Sequence, residues 1–531
     1  MLRSKNPLIL AFCSVVLALA LFQFSENTAD PDLWGHIIFG QHHLKTGVLA
    51  QTEPYSWTAE GHPWINHEVL SEAALGAVHF WGGGSGVLLL KIFVGLLAFW
   101  IALRVGAQGL QWPLRAVAWA FGAIAVVEIS FGFAARPQIF TALAMVVQLW
   151  LLRRVHAGKT SWSWLLPVFF VLWINTHGGA LAGIVLLWLT TVATTLHFLV
   201  CEKEKLSPWL DQSVTVKIVR SLWIASFLST GALFLNPWGP GLVEWLIGSV
   251  LWLRPEIAEW NPTTLTWEHG TFFIVAFLTV FSFLFSKQKR SLWEMAFCGA
   301  LMVLAFRSVR HTPLFCLAAL ALAPRHLADI VTRFSSSLPG GISKEAGVQK
   351  AGAVMLFLLA GAILVATVRL HKENPFTIEV PRKQYPVAAV QFIQKHALKG
   401  NLLVFFDWGE MALWELPECP PSIDGRLDTC YPRPLISEHW KFFNGQPVDP
   451  NILNLEKADL ALLPSALAGA FTLKGMPGWE AVYVDDLAVV LVRGKDRFPT
   501  LAESKGPWMA DDAAITGRVP FPEQNPRWPV K

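Results

Sequence analysis

Two carboxylates stand two residues apart where the first apolar run of the chain ends. The segment reads DPDLWGH at residues 30–36, and the proline between Asp30 and Asp32 prevents a helix from continuing through the pair. Carboxylates at this spacing can chelate a hard divalent cation such as magnesium or manganese, or divide the roles of general base and electrostatic partner. Helix capping and plain solvation are the structural alternatives, and the neighbouring Trp34 and His36 favour the chemical interpretation.

Two further segments carry histidine beside other polar groups. His67 and Glu68 offer a second acid–base pair, but adjacent residues on a helix diverge by about 100°, so we expect only one of them to face a cavity. His177 follows Asn175 and precedes two glycines where a helix breaks, and irregular backbone at membrane depth is tolerated where it lines protein or water. A polar rim helix and a buried, hydrogen-bonded histidine are the structural alternatives.

Three arginines, Arg136, Arg307 and Arg310, are flanked by apolar runs. Each unpaired charge costs roughly 2.5 to 3.5 kcal/mol at the centre of a spanning helix and less near the interface, so we expect an anion close by. A ligand phosphate suits the planar guanidinium fork, and Gln138 in the segment ARPQ adds a polar group beside Arg136. The alternative is a structural ion pair with one of three carboxylates, Asp30, Glu68 or Glu259.

The elements that must position these residues are long apolar runs. The chain of 531 residues is 53% hydrophobic and 15% charged, a balance typical of membrane proteins. The runs are close to the roughly 20 residues that cross about 30 Å of hydrocarbon. The clearest are 7–24, 86–103, 116–134, 178–200, 220–235, 271–286, 292–306 and 351–368. Shorter candidates at 138–152, 162–174 and 313–324 bring the predicted number of transmembrane helices to about eleven.

Lysine and arginine placement predicts the orientation, because short loops rich in these residues stay cytoplasmic. Alternate loops are basic, beginning with Arg3 and Lys5 before a first span that we interpret as uncleaved rather than as a signal peptide. The remaining basic positions are Arg104, Arg115, Arg153, Arg154, Lys159, Lys203, Lys205, Lys217, Lys287, Lys289, Arg290, Arg325, Arg333, Lys344 and Lys350. The loops at 25–85, 134–138, 175–178, 236–270 and 307–312, and everything beyond 370, then lie outside. Nearly all the unusual polar clusters lie on that outer face. The net charge of +4 is too small and too dispersed to indicate binding of nucleic acid.

Composition divides the chain into three parts. Residues 1–370 form the transmembrane domain with its long first outside loop at 25–85. We expect one amphipathic segment in this loop, at 66–80, and a second at 240–253. Residues 371–498 predict a soluble α/β domain, and the Pro-rich tail at 499–531 predicts loose order. Cys419 and Cys430, the two cysteines expected in an oxidising compartment, predict a disulfide. The fold class is therefore an α-helical polytopic membrane protein with a C-terminal soluble α/β domain.

The order of motifs resembles a known superfamily over roughly residues 7–370. The segments DPDLWGH, PWINHE, ARPQ, NTHGG and LNPWG look like those of C-type glycosyltransferases, and more narrowly of the bacterial protein mannosyltransferase-like and aminoarabinose transferase-like members. The resemblance implies a sugar donor on a polyprenyl phosphate or diphosphate, and a first-loop Asp that is general base or metal ligand. Asp30 and Asp32 match that motif, and an outside Arg such as Arg310 would hold the lipid phosphate. Many members pair Asp with Glu, whereas here a proline and a second Asp intervene.

The resemblance therefore implies a transferase of the cytoplasmic membrane that binds a lipid-linked sugar and passes it to a glycan, lipid or protein acceptor on the outer face. The residues predicted around the reacting groups are His36, His67, Glu68, Arg136, Gln138, Asn175, His177, Arg307 and Arg310. A transporter of lipid-linked or anionic substrates is the rival, since broken helices and intramembrane arginines suit it too. A third alternative is a membrane-anchored binding protein that works through Asp407, Asp424 and Arg426 of the C-terminal domain, although turn chemistry explains these residues as cheaply.

Overall fold

The computed structural model describes residues 6–202, 210–211, 213–252, 254–335, 346–370, 374–501, 507–509 and 515–524. Its contacts divide the chain into two compact units. The helical unit consists of Met1–Glu26 and Leu89–Pro375, and the mixed unit of Asn27–Leu88 and Phe376–Lys531. Several residues on which the predicted orientation depends lie outside the described residues, namely Arg3, Lys5, Lys203, Lys205 and Lys344.

The described helices, in chain order, are α1 (Pro7–Phe24), α2 (Leu33–Thr46), α3 (Val69–Gly106), α4 (Arg115–Phe131), α5 (Gln138–His156), α6 (Leu165–Ile174), α7 (Ala180–Glu202), α8 (Val216–Ala232), α9 (Pro240–Leu251), α10 (Gly270–Phe285), α11 (Leu292–Arg307), α12 (Thr312–Leu322), α13 (Pro324–Ser335), α14 (Ala346–Leu370), α15 (Val387–Lys395), α16 (Gly409–Glu415), α17 (Arg433–Phe443) and α18 (Ala468–Lys474). The described strands are β1 (Glu379–Pro381), β2 (Leu402–Val404), β3 (Leu460–Pro464), β4 (Trp479–Val484), β5 (Ala488–Arg493), β6 (Trp508–Met509) and β7 (Arg518–Pro520).

Each of the eleven predicted apolar runs is helical over most of its length, and the protein is a multi-pass membrane protein. Length and composition give a smaller number of transmembrane spans. Among the described residues five helices are long and apolar enough to cross a bilayer alone, α1, α3, α5, α7 and α14, and α12 with α13 adds a sixth if that bent pair is one span. The other apolar helices reach at most about 25 Å at 1.5 Å per residue, so the count of eleven is not confirmed.

The start of α1 and the bend in α3 follow from local sequence. The Asn6 side chain accepts a hydrogen bond from the Leu8 N–H at 2.9 Å, and Pro7 occupies the first turn of α1, where its missing N–H costs nothing. Within α3, Gly83 has φ of 55° in the segment WGGGSG, a conformation that only glycine adopts readily. The helix that leaves the first outside loop therefore changes direction before it continues as a long apolar span.

The mixed unit contains a five-stranded sheet in the order β2-β3-β5-β4-β6. Strands β2 and β3 are parallel, β5 runs antiparallel to both β3 and β4, and β6 is parallel to β4. The central β3 and β5 are apolar and almost wholly buried, which suits strands covered on both faces. The sequence of residues 385–493 predicts a succession of short helices and strands, and these are confirmed, except that the expected short strand at 421–424 forms only an isolated bridge between Pro421 and Leu402.

The structure draws the boundary between the parts differently from the sequence prediction. The first outside loop belongs to the same compact unit as the C-terminal residues, and its backbone joins theirs directly. The Ala29 N–H donates to the Glu379 carbonyl at 2.7 Å, and the Ile65 N–H to the Thr429 carbonyl at 2.8 Å. The tail, predicted to be loose, contributes β7, which pairs with β1, and Phe521 is buried beside Trp34.

The predicted disulfide between Cys419 and Cys430 is not formed, and this expectation is corrected. Both thiols are free and buried. The Cys419 thiol follows α16 and donates to the Leu398 carbonyl at 3.3 Å, whereas Cys430 lies in the surroundings of Arg426. Burial raises the pKa of Cys419 to about 11 and that of Cys430 well above its ordinary value, so both remain protonated, unreactive thiols.

Candidate functional site

The acidic motif forms the turn that starts α2. The Asp30 carboxylate accepts the Asp32 N–H at 3.1 Å, and the Asp30 carbonyl accepts the Leu33 N–H at 3.1 Å. Asp30 is therefore committed in part to shaping this turn, which proline favours by fixing its own backbone. Asp32 occupies the position before the first residue of α2, and its side chain makes no capping hydrogen bond to the helix.

A carboxyl group from the C-terminal part of the chain meets this motif. The Gly35 N–H donates to Glu410 Oε2 at 3.0 Å, and Glu410 is only 2% exposed. A Cβ built on Gly35 would collide with the Glu410 carboxyl, and one built on Gly425 would collide with the Asp32 carboxylate and lie 3.1 Å from Glu410 Oε1. The two glycines thus leave the space in which the acidic groups of Asp32 and Glu410 come together.

A buried ionic network surrounds Arg426 nearby in the mixed unit. Its Nε and Nη2 donate to Asp424, at 2.9 Å and 2.6 Å, and its Nη1 donates to Glu53. The Tyr431 hydroxyl adds a hydrogen bond to Asp424 at 2.8 Å, and the guanidinium lies 4.8 Å from the ring centre of Trp64. Burial opposes the charge of Arg426, but Asp424 and Glu53 outweigh it and raise the pKa of the guanidinium well above its ordinary value.

His36 joins the start of α3 in a buried triad. Its Nδ1 lies 3.4 Å from Glu72 Oε1 and 3.8 Å from Glu68 Oε2, and the Asn66 amide donates to Glu72 Oε2 at 2.6 Å. Burial disfavours a charged imidazole, but the hydrogen bond to Glu72 and the charges of Glu68, Glu72 and Asp32 prevail and raise the pKa of His36 to about 9. The ring is a cation held between two carboxylates at neutral pH.

The same three side chains have the composition of a metal site. One ligand atom from each of His36, Glu68 and Glu72 lies within 4.8 Å of the others. One imidazole with two carboxylates suits a divalent ion of the first transition row. Within the described part of the mixed unit, Asp30 and Asp32 belong to no group of this kind. The structure therefore adds the α2–α3 contact as a candidate cation site, and cation binding by Asp30 and Asp32 stays a prediction.

The prediction for His67 assumed that it lies on a helix, and that assumption is wrong. The helix begins at Val69, so His67 and Glu68 both precede it and are not held 100° apart. His67 Nε2 lies 3.5 Å from Glu68 Oε1. The Glu68 N–H donates to the Asn66 side chain at 2.9 Å, which replaces the missing helical partner at the start of α3.

In the helical unit, two of the predicted arginines converge on one carboxylate. Arg136 Nη1 and Arg310 Nη1 each lie 3.6 Å from the same atom, Glu259 Oε1. Arg310 also stacks over the Trp260 ring at 4.5 Å, and its Nη2 lies 3.4 Å from Gln138 Oε1. All the charged side chains of this cluster are partly exposed, at 21 to 29%. Two guanidinium groups on one carboxylate leave a net positive charge that favours a further anion.

Backbone contacts hold this cluster together across distant parts of the sequence. The Ser308 hydroxyl donates to the Glu259 carbonyl at 2.9 Å, and the Val309 N–H donates to the Asn261 carbonyl at 3.1 Å. These bonds fix the segment before α10 against the turn between α11 and α12. Glu259 and Arg310 therefore keep their relative position even though 50 residues separate them in sequence.

The remaining predicted residues of the helical unit have other surroundings. Arg307 is exposed and forms no ion pair in the part of the chain that the structure describes. His177 Nδ1 accepts hydrogen bonds from the Thr141 hydroxyl and the Gly179 N–H, each at 2.9 Å. Asn175 donates to the carbonyls of Val171 and Leu235, both at 2.8 Å. The half-buried His177 and Asn175 thus stabilise the break between α6 and α7, and their part in substrate binding stays a prediction.

The sequence reasoning missed Glu410, Glu72 and Glu53 as members of these clusters. Glu410 carried one available signal, since it is an acidic residue within the apolar stretch WGEMALW, where burial requires a partner. Glu72 carried a similar signal on an otherwise apolar face of the helix that begins at Val69. Nothing in the sequence singles out Glu53, because its role depends on a contact with Arg426 across most of the chain.

No protein-family model matches this chain, and no curated protein does either. Solved structures do. The archaeal oligosaccharyltransferase AglB from Archaeoglobus fulgidus, in complex with an inhibitory peptide and a dolichol-phosphate, matches with a TM-score of 0.52 and 11% identity over 85% of this chain and 69% of that one. ArnT from Cupriavidus metallidurans, bound to undecaprenyl phosphate, matches with a TM-score of 0.51 and 14% identity over 95% of this chain and 100% of that one.

Both proteins have the C-type glycosyltransferase fold. This chain has the same fold. The resemblance inferred from the order of motifs is therefore confirmed for the fold. At 11 and 14% identity, substrates and individual residue roles remain to be argued from this chain's own side chains.

Proposed function

We propose that this protein is a membrane glycosyltransferase that transfers a sugar from a polyprenyl-phosphate-linked donor to an acceptor on the outer face of the cytoplasmic membrane. The fold supports a transferase of this class, since AglB and ArnT, which share it, are seen with dolichol-phosphate and undecaprenyl phosphate. The proposal assigns phosphate binding to the helical unit and removal of the acceptor proton to the mixed unit.

The convergence of Arg136 and Arg310 on Glu259 Oε1 carries the proposal. Two guanidinium groups from separate segments already direct Nη1 atoms at one carboxylate oxygen, 3.6 Å away in each case. A donor phosphate presents the same kind of oxygen and more charge, so it would compete for both arginines. Trp260 holds the Arg310 guanidinium by its ring face, which keeps the planar fork oriented while the anion exchanges.

We assign the general base to Asp32 rather than Asp30. Asp30 accepts the Asp32 N–H and maintains the turn, whereas the Asp32 carboxylate lies at the start of α2 in the space beside Gly425 and Glu410. Asp32 would take the proton of an acceptor hydroxyl as its oxygen bonds to the anomeric carbon of the sugar. The bond from that carbon to the donor phosphate breaks, and the leaving phosphate keeps the electron pair, which arginine charge stabilises.

A divalent cation would be held by His36, Glu68 and Glu72, whose ligand atoms lie within 4.8 Å of one another. Such an ion supplies electrostatic stabilisation of developing negative charge. Without it, the protonated His36 neutralises part of the charge of Glu68 and Glu72.

Purified protein in detergent or nanodiscs, assayed with a panel of polyprenyl-linked sugars, tests the proposal. Arg310→Ala should weaken binding of the donor and reduce transfer, because one of two converging guanidinium groups is lost; roughly 10-fold or more is expected for a charged hydrogen bond of about 1.5 to 3 kcal/mol. Arg310→Lys should restore only part of both, since an ammonium lacks the planar fork.

Arg307→Ala is the matched control, because Arg307 is an exposed arginine three residues away with no described ion pair. It should bind and transfer like the unmodified protein. Equal effects of Arg307→Ala and Arg310→Ala would contradict the phosphate assignment. Donor movement across the bilayer with no new glycosidic bond from any donor would favour a transporter instead.

A further inference from the structure

We propose that Glu410, contributed by the C-terminal part of the chain, shares a proton with Asp32 and thereby positions the first-loop carboxylate. This inference rests on the proposed function, in which Asp32 is the base. Glu410 Oε1 and the Asp32 carboxylate both lie beside Gly425, and Glu410 acts on Asp32 and not on the sugar, so it is a positioning residue. The pairing makes the C-terminal part of the mixed unit a component of the reaction centre.

The geometry of two glycines supports this pairing. The Gly35 N–H fixes Glu410 Oε2 at 3.0 Å, which leaves Oε1 on the side of Gly425 and Asp32. Neither Gly35 nor Gly425 can carry a side chain without displacing one of the two acidic groups. Gly425 lies in the segment IDGR and Gly35 in the segment LWGH. Each segment therefore has a glycine at the position next to the two carboxyl groups.

The charges around the pair require a proton there. Glu410 is faced by Asp32, Asp424 and Arg426, and of these only Arg426 is cationic. The Arg426 guanidinium directs Nε and Nη2 to Asp424 and Nη1 to Glu53. Asp32 is faced in addition by the charge of His36, which is shared with Glu68 and Glu72. Glu410 is 2% exposed and lies close to the half-buried Asp32 carboxylate, so two ionised groups there would repel strongly, and one shared proton removes that cost.

Burial and the negative charges of Asp32 and Asp424 raise the pKa of Glu410 well above its ordinary value, more than Arg426 and the Gly35 N–H lower it. This shift favours the neutral carboxylic acid form of Glu410. In the proposed pair, the Glu410 Oε1–H donates to one lone pair of the Asp32 carboxylate, which leaves the others able to accept the proton of a substrate. A carboxylic acid that donates to a neighbouring carboxylate restricts its orientation without occupying all of its lone pairs.

Glu410→Gln gives the sharpest test, because glutamine keeps an acceptor for the Gly35 N–H and a donor for Asp32 but cannot ionise. At neutral pH its transfer rate should stay within about threefold of the unmodified protein, since both hydrogen bonds persist. At alkaline pH it should retain activity that the unmodified protein loses as Glu410 ionises. His36 is common to both proteins, so the difference between the two pH profiles reports Glu410.

Two further variants separate positioning from folding. Glu410→Ala should lower kcat by about 10- to 100-fold, the range expected when a buried hydrogen bond is lost, with the KM for the donor nearly unchanged. Glu418→Gln is the matched control: Glu418 is exposed, pairs with Lys399 at 2.7 Å, and its removal should leave both kcat and the pH profile unaltered. Superimposable pH profiles of Glu410→Gln and the unmodified protein would overturn the proposal.

Infrared spectroscopy provides a readout that needs no sugar transfer. The unmodified protein at neutral pH should show a protonated-carboxyl band that disappears in Glu410→Gln, persists in Glu418→Gln, and shifts in Asp32→Asn because the partner becomes an amide. If no donor is turned over but these band changes are seen, the shared proton stands and the proposed function fails. Bands identical in the unmodified protein, Glu410→Gln and Asp32→Asn would overturn the shared proton itself.

Discussion

Arg426 illustrates at the residue scale how strongly the mixed unit depends on single charges. It is 8% exposed and donates to Asp424, which is fully buried, and to Glu53, at 1% exposure. Removing one member of a buried ion network leaves the others uncompensated, which costs far more than the net worth of the network itself. The loss of any one of these charged residues should therefore destabilise the fold.

Arg426→Ala should destabilise the mixed unit by about 3 to 5 kcal/mol, because Asp424 and Glu53 would lose their common cation. Thermal unfolding of the full chain in detergent measures this effect. Arg433→Ala is the control: Arg433 is an exposed arginine, 3.5 Å from Asp428, and its loss should cost at most about 1 kcal/mol. Similar melting temperatures for the two variants would show that the network is not a stabilising unit.

The sequence singles out some residues of these sites and not their partners, for a physical reason. Asp32 stands out by its spacing from Asp30, and Arg310 because charge beside long apolar runs is costly and has to be compensated. Their partners Glu410 and Glu259 lie hundreds and tens of residues away, respectively, and pairing over such distances depends on the fold. Asn175 and His177 were indistinguishable by sequence from binding residues, because a helix break and a binding site use the same polar side chains.

At the scale of elements, α2 and the start of α3 are joined through His36. The pKa of this histidine is raised to about 9, against an ordinary value of about 6.5 in an unfolded chain. A raised pKa means that the protonated form stabilises the fold. Its contribution is complete below about pH 6.5 and is lost as the pH rises through about 9.

In protein treated with chelator, the melting temperature should therefore fall by several degrees between about pH 6.5 and 9.5, in proportion to the proton that His36 releases. His36→Gln should abolish most of this dependence, whereas His62→Gln, outside the triad, should preserve it. A pH dependence unchanged by His36→Gln would refute the triad. Restoration of stability at high pH by manganese would indicate that a metal replaces the proton.

The helices were predictable because an apolar run of sufficient length has few other stable conformations. Each of the eleven runs is a helix, and in the C-terminal part the alternation of short apolar strands with amphipathic segments predicted most elements correctly. The number of transmembrane spans was not predictable, because the length of a helix such as α10, with 16 residues, does not decide whether it crosses the bilayer. Helix α3 begins three residues after the start of the predicted segment, because Asn66 accepts the Glu68 N–H in a turn that precedes the helix.

At the scale of the whole molecule, the unexpected feature is the composition of the mixed unit. It combines Asn27–Leu88 with Phe376–Lys531, two segments separated by the helical unit in sequence. Composition changes near residue 370 revealed a boundary there, but no local signal shows that the first loop packs with residues beyond it. The hydrogen bonds from Ala29 to Glu379 and from Gly35 to Glu410 depend on that association.

The fold resemblance to AglB and ArnT fits this division, since it extends over 85 and 95% of the chain and includes both units. We propose that Arg136 and Arg310 bind the donor phosphate. Asp32, with Glu410 beside it, removes the acceptor proton. These two functions are separable by experiment, because a base can be removed without altering the arginines.

The most direct test compares sugar transfer and donor binding in Asp32→Asn. Asparagine keeps the size of the side chain but cannot take a proton, so transfer should fall about 100- to 10,000-fold while donor affinity changes little. Asp30→Asn, which keeps an oxygen for the Asp32 N–H, should lose far less, and the exposed control Asp496→Asn should lose nothing. Full transfer activity in Asp32→Asn would show that Asp32 is not the general base.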